Sequence, residues 1–250
     1  MKVLKGFMIL IIIIFALAPC FYISDVEFIG IDYLSKDELL REAKYNKGKF
    51  FRFDLKGELN QLIDNPYVEK INVMSKFPNR YKVTIEERVP VAYLSQDSKI
   101  SLNMLDFKED KYSGKFYYMD TNNNILSLTD KKERKLPIIS GLEYKEVKIG
   151  NKIEIENDKK YQIINTLTSL VAKNIEDDII SKGLIIDVEK EHDIKIYLLD
   201  PVIEFRYGKC EKNLEKMKKI VEILKHIPSN YRGTIDIRDV NRNSSFKPIT

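Results

Sequence analysis

The 250-residue chain is 44% hydrophobic and 32% charged, with 42 basic and 38 acidic residues and a net charge of +4. That balance excludes global disorder, and so small a basic surplus is not a nucleic-acid footprint. Its two cysteines, Cys20 and Cys210, are too few for a disulfide framework or a metal quartet, so stability must come from ordinary cores.

From Gly6 to Ile23 the chain reads GFMILIIIIFALAPCFYI, 18 residues without a charge. At about 1.5 Å per residue a helix of that length spans roughly 27 Å, enough for the hydrocarbon core of a bilayer. Lys2 and Lys5 lie before it, and Asp25, Glu27 and Asp32 follow. This bias assigns residues 1–5 to a cytoplasmic tail, 6–23 to a transmembrane helix and the rest to the outer side of the membrane. Ala16-Leu17-Ala18 has the form of a signal-peptidase site, but Pro19 directly after it opposes cleavage. A lipoprotein signal would use Cys20 and needs a small residue where Pro19 stands. An uncleaved anchor is the expectation.

Residues 24–92 read as a first domain. Val26 and Phe28 alternate with Asp25 and Glu27, a half-buried strand. Ser35 starts a helix, and Glu38 completes a capping box. Leu39, Leu40 and Ala43 give that helix an apolar side, and Gly48 closes it. Asp54 is a plausible cap for a second helix. Leu55, Leu59, Leu62 and Ile63 lie on its one apolar face, and Asn65-Pro66 stops it. Ile71 and Val73, a turn at Phe77-Pro78-Asn79-Arg80, and Tyr81, Val83 and Ile85 then form a hairpin. The order βααββ predicts two helices over one face of a three-stranded sheet.

Residues 93–240 read as a mixed sheet with two helices. Phe116 to Met119 and Ile125 to Leu128 flank a polar turn from Asp120 to Asn124. Leu136-Pro137-Ile138-Ile139-Ser140-Gly141 follows. A helix capped at Asn157 or Asp158 presents Ile164, Leu167, Val171 and Ile175. Strands at 185–188, 194–199 and 202–207 precede a helix at about 211–225, with Leu214, Met217, Val221 and Leu224 inward. Thr234 to Arg238 is a further strand, and residues 241–250 form a C-terminal edge strand or tail.

In this order the pieces resemble a known family. Asn65-Pro66-x-Val68, Val73, Pro78-Asn79 and Ile85-Glu86-Glu87-Arg88-x-Pro90-Val91-Ala92 look like the POTRA domain of the FtsQ/DivIB cell-division proteins. Arg80 stands where that family usually has threonine. The second region resembles the family's β domain at the Asp120 turn, at Leu136-Pro137-x-Ile139-x-Gly141, at Val202 to Leu224 and at Ile235-Asp236-Ile237-Arg238. The tail before Lys5 is shorter than in many relatives, so no cytoplasmic role is implied. The fold class expected is α+β: an N-terminal transmembrane helix, a βααββ POTRA domain, then the mixed-sheet β domain.

Enzyme signatures are missing. His192 and His226 lack a metal-type neighbour at i+3 or i+4, no serine sits in G-x-S-x-G, and no glycine-rich loop is present. On a strand Glu86 and Glu87 point to opposite faces and cannot act as a carboxylate pair. Tyr112, Tyr117 and Tyr118 read as core or sheet surface, not as a stacking platform for nucleic acid. No cofactor, metal, nucleic acid or small-molecule substrate is expected.

The resemblance implies a bitopic septal scaffold that links division proteins and helps regulate septal peptidoglycan synthesis. Its expected partners are the membrane and the FtsB/DivIC-type and FtsL-type single-pass coiled-coil proteins. An anchored extracytoplasmic chaperone using the POTRA-type module is the alternative. The resemblance also places an edge strand at the C-terminus, where the family docks its coiled-coil partner. Arg238, Ser244, Ser245, Phe246, Lys247 and Pro248 are therefore the candidate partner-binding residues. Small serines let another backbone approach, Phe246 is an aromatic anchor, Lys247 suits an acidic partner and Pro248 limits the pairing. Amino-terminal sequencing of the mature protein is expected to start at or near Met1; a start at Pro19 or Cys20 would show cleavage instead.

Overall fold

The computed structural model describes residues 2–17, 25–45, 55–76, 79–95, 115–130, 135–144, 146–155, 157–228, 230–242 and 244–248. Two compact units emerge, Met1–Arg88 and Val89–Thr250. The expectations for Gly48, Asp54, Phe77-Pro78 and the last residues of the apolar run, Pro19 and Cys20 included, fall outside the described residues.

In the first unit α1 (Lys2–Leu17) exposes the side chains of Phe7, Met8, Ile12 and Phe15. Among the described residues no helix is long and apolar enough to cross a membrane. After α1 come β1 (Asp25–Ile29), α2 (Lys36–Glu42), α3 (Leu55–Asn60) running into a 3₁₀ turn (Gln61–Asp64), β2 (Val68–Lys76) and β3 (Arg80–Glu87). The sheet order is β1-β3-β2, with β1 parallel and β2 antiparallel to the central β3. The capping box at Ser35 is formed: Ser35 Oγ accepts from the Glu38 N–H, and the Glu38 carboxylate accepts from the Ser35 N–H.

Leu39, Ala43, Leu55, Leu59 and Leu62 pack on Val26, Val73, Tyr81, Val83 and Ile85. Ile63, expected on the same apolar face, is 44% exposed instead. The helix tightens to three residues per turn at Gln61, and that extra rotation turns Ile63 out.

The two glutamates of the Glu86-Glu87 pair have different fates. Glu86 makes an exposed ion pair with Lys70 at 2.9 Å. Glu87 accepts the backbone N–H groups of Asp32, Tyr33 and Leu34 at 2.9, 2.8 and 2.9 Å. Three successive donors aimed at one carboxylate form an anion nest, and Glu87 thereby ties the loop between β1 and α2 to the end of β3. Beside it Arg88 donates to the carbonyls of Tyr67 and Pro66, closing the unit at its last residue.

The second unit contains β4 (Pro90–Ser95), β5 (Phe116–Asp120), β6 (Ile125–Thr129), β7 (Ile138–Ser140), α4 (Asp158–Asn174), α5 (Asp177–Ser181), β8 (Leu184–Asp187), β9 (Ile194–Leu199), β10 (Val202–Gly208), α6 (Asn213–His226), β11 (Gly233–Asp236) and β12 (Ser245–Pro248). Pro90, Val91 and Ala92, read from the sequence as the end of the first domain, lie in β4 and hydrogen-bond into this second sheet. The strand order is β12-β11-β10-β9-β8-β7-β4-β5-β6. Neighbours β10/β11, β4/β7 and β7/β8 are parallel, so the sheet is mixed.

Helix α4 buries Ile164, Leu167 and Val171 as its periodicity predicts, and α5 is a short helix the sequence pattern did not announce. Of the residues expected inward on α6, Met217 is buried and Val221 and Leu224 pack against the core, while Leu214 is 50% exposed; Ile220 and Lys216 are buried beside them. The Lys216 ammonium donates to the Tyr207 and Lys209 carbonyls at 2.9 and 2.7 Å and lies 4.7 Å from the centre of the Tyr207 ring. Those partners make burial of a lysine tolerable.

Glu87→Ala is expected to lower the stability of the first unit by about 1.5–3 kcal/mol, because charge-assisted bonds are lost and three donors are stranded. Glu86→Ala is expected to cost less than about 1 kcal/mol, as an exposed ion pair should. Urea unfolding of the two variants, followed through amide exchange of residues 25–45, separates the two roles.

Candidate partner-binding edge

The site begins with a glycine. A Cβ on Gly233 would lie 2.4 Å from the Lys247 carbonyl oxygen and 2.7 Å from Tyr231 Oη. Only glycine lets β12 and Tyr231 approach this closely. The last two strands then run antiparallel, with Gly233 opposite Pro248, Thr234 opposite Lys247, Ile235 opposite Phe246 and Asp236 opposite Ser245. Strand alternation puts Phe246 on the side of Ile235, which faces α6, and puts Lys247 and Ser245 on the opposite face.

Two interactions fix the corner between β11 and β12. Arg238 folds back on Asp236, with Nε 3.0 Å from both carboxylate oxygens. That contact, above all the side-chain hydrogen bond, holds the Asp236 carboxyl below the usual aspartate range. Lys219 of α6 donates to the Asp239 and Arg242 carbonyls at 3.3 and 2.5 Å. Helix α6 is held in turn by Lys216 on the end of β10, so a chain of backbone contacts runs from the core to the corner. Burial lowers the affinity of the Lys216 amine for its proton.

The two edges of the nine-stranded sheet differ. At the β6 edge, the segment 150–153 pairs with the start of the strand: Ile125 donates to Asn151 and accepts from Gly150. At the other edge all four residues of β12 are exposed, and no described residue pairs with its outer side. An uncovered edge presents N–H and C=O groups that another strand can take.

Beside this edge α6 and the corner enclose a cleft of about 960 Å³. Its apolar wall is Ile223, Ile227, Pro228, Tyr231 and Phe246. The Tyr231 and Phe246 rings meet edge to face, 6.4 Å between centroids, and Phe246 is 52% exposed. Tyr231 Oη and Ser244 Oγ are shielded and have no hydrogen-bond partner among the described residues. Burial pushes the Tyr231 hydroxyl up from its ordinary value. An extended segment with an apolar side chain and a nearby polar group fits such a surface.

Of the residues read from the sequence, Ser245, Phe246, Lys247 and Pro248 form β12, and Ser244 and Phe246 line the cleft. Arg238 lies outside the cleft, its stem over Gly208 and its guanidinium on Asp236. Sequence reasoning missed Tyr231, Lys219 and the outer face of α6. The spacing of Ile220, Ile223 and Ile227 carried the only signal: Ile220 is in the core, while Ile223 and Ile227 pack against it and also line the cleft.

The chain is thus a βααββ unit followed by a mixed sheet, one edge of which is uncovered among the described residues. Residues 21–88 match the family model described as "POTRA domain, FtsQ-type", and that match ends where the first compact unit ends. Nearly the whole chain is similar to cell division protein DivIB of Clostridium botulinum (strain Hall), 24% identical over 94% of this chain and 87% of the relative. DivIB of Clostridium tetani is also 24% identical, over 82% of this chain and 71% of its own. Cell division protein FtsQ of Syntrophotalea carbinolica is 22% identical over 83% and 66%. Residues 21–88 thus form a POTRA domain of the FtsQ type, and nearly the whole chain is similar to the DivIB and FtsQ cell-division proteins.

The Asp236–Arg238 contact has a pH signature. The folded-state pKa of Asp236 is depressed, so its contribution to the corner is complete above the unfolded value of about 3.9 and is lost as pH falls through the lower folded value. An NMR titration of the Asp236 carboxyl is expected to give a midpoint below 3.9, and Arg238→Ala is expected to move it back up. An unshifted midpoint in the parent protein would remove this contact from the account.

Proposed function

We propose that this chain is a non-catalytic, membrane-anchored scaffold of the bacterial division machinery that receives a partner strand on β12. The observation that carries the reading is the exposed edge strand Ser245–Pro248 beside the cleft lined by Phe246, Tyr231 and Ile223. The partners are single-pass coiled-coil proteins of the FtsB/DivIC and FtsL types. Their extended segment adds to β12 by backbone pairing and places an apolar side chain against Phe246. Lys247, on the opposite face of the strand, meets an acidic residue.

Residues 6–23 anchor the chain, with residues 1–5 in the cytoplasm and residues 24–250 outside at the division septum. Support comes from α1, where the apolar side chains of Phe7 to Ile9 and Ile11 to Phe15 are exposed, and from the charge bias across the apolar run. Docking of the partners links early and late division proteins and regulates septal peptidoglycan synthesis.

Truncation after Arg242 is expected to abolish partner binding while the sheet stays folded, since β12 lies at its edge. Phe246→Ala is expected to weaken binding by about 1–3 kcal/mol. Titration calorimetry with a purified DivIC-type partner reads both effects. Unchanged affinity in the truncated chain would overturn the docking site, and uniform membrane staining of a tagged copy in place of a midcell band would overturn the septal role.

A further inference from the structure

The first unit carries a second interaction surface, on the face of its sheet that the helices leave open. Register puts the start of β1, the start of β3 and the end of β2 at one level: Asp25 is opposite Arg80, and Arg80 is opposite Lys76. One step along, Glu27 is level with Lys82 and Lys82 with Met74. Strand alternation turns Glu27, Met74, Lys76, Arg80 and Lys82 away from the helices, because Val26, Tyr81, Val83 and Val73 fill the core, while Asp25, at the start of the edge strand β1, reaches round to Lys36 of α2.

The charges at this end do not cancel. Asp25 is paired with Lys36 at 3.4 Å and Glu27 with Lys76 at 3.5 Å. Arg80 and Lys82 have no ion-pair partner among the described residues. At the far end of the same face Lys70 is neutralised by Glu86 at 2.9 Å, so the unpaired cations are confined to one end.

Chain order identifies what that end meets. Asp25 follows the uncharged run 6–23 by two residues. At no more than about 3.6 Å per residue, two residues place Asp25 within roughly 10 Å of the end of that run. Arg80 and Lys76 share its level across the sheet.

We propose that Arg80 and Lys82, with Lys76 beside them, hold this end of the sheet against anionic phospholipid headgroups, a lipid-docking face additional to the helical anchor. The inference rests on the anchored reading given above. Arg80 and Lys76, level with Asp25, come nearest the headgroups and Lys82 lies two residues farther along; within a Debye length each basic residue contributes about a fivefold preference for an anionic surface. The contact limits the swing of the unit about its tether.

The test uses the full chain. Extraction of membranes with alkaline carbonate comes first; release of the chain would overturn the anchored reading and the proposal with it. The retained protein is then placed in nanodiscs of phosphatidylcholine alone or of phosphatidylcholine with phosphatidylglycerol. Amine labelling of each lysine is followed by mass spectrometry. Labelling of Lys76 and Lys82 is expected to be slower in the anionic discs by about fivefold or more, with Lys70 unchanged as the internal control. Arg80→Glu or about 0.5 M salt should remove the difference, and inorganic phosphate added to neutral discs should not reproduce it. Equal labelling of Lys82 in both discs, in a carbonate-resistant chain, would overturn the docking face and leave the anchor standing. Protection by inorganic phosphate alone would identify an anion site unrelated to the membrane and would also overturn it.

Discussion

Backbone pairing is the constraint on which the second unit depends. An open sheet of nine strands has two edges, and each edge strand leaves half of its N–H and C=O groups without a strand partner. One edge is occupied by the chain itself, through residues 150–153 on β6. The other ends in a four-residue strand exposed at every position. A short terminal strand with a proline is a poor template for aggregation and an adequate one for a single partner. The exposed edge thus follows from a general property of β-structure.

What keeps that edge in a fixed geometry is a set of lysines acting on backbone carbonyls. Lys216 ties α6 to the end of β10, and Lys219 ties the corner of β11 and β12 to α6. Both ammonium groups replace water with carbonyl oxygens, which a lysine does well because its three donors rotate freely. In the first unit the roles are reversed. There Glu87 collects three backbone N–H groups and fixes a loop. Charged side chains that look like surface decoration in the sequence serve in both units as connectors for unpaired backbone.

Much of the fold was legible in advance. Period-2 alternation gave β1, β3, β9 and β10, and the Ser35–Glu38 box gave the start of α2. Departures have local causes. Ile63 turned outward because α3 tightened into a 3₁₀ turn, and α6 buries Lys216 in place of Leu214 because the lysine finds carbonyl partners that apolar periodicity ignores. The first unit ends at Arg88, not Ala92, because Pro90–Ser95 pair with Phe116–Asp120. Of the candidate site, β12 and Phe246 were legible, while Tyr231, Lys219 and the α6 wall of the cleft were not.

The sequence by itself determined most of the elements, their order, the apolar N-terminal run and the FtsQ-type POTRA resemblance, because each is written in local spacing: alternation, capping residues, an uncharged stretch and a run of motif residues. Only the tertiary structure decided which strands became neighbours, and therefore which edge stayed open and which charges stayed unpaired. Strand pairing joins residues far apart in sequence, such as Asp25 with Arg80 or Tyr93 with Ile138. No local periodicity encodes such a choice, which is made by burying the helix-facing side of each strand in the core of its own unit.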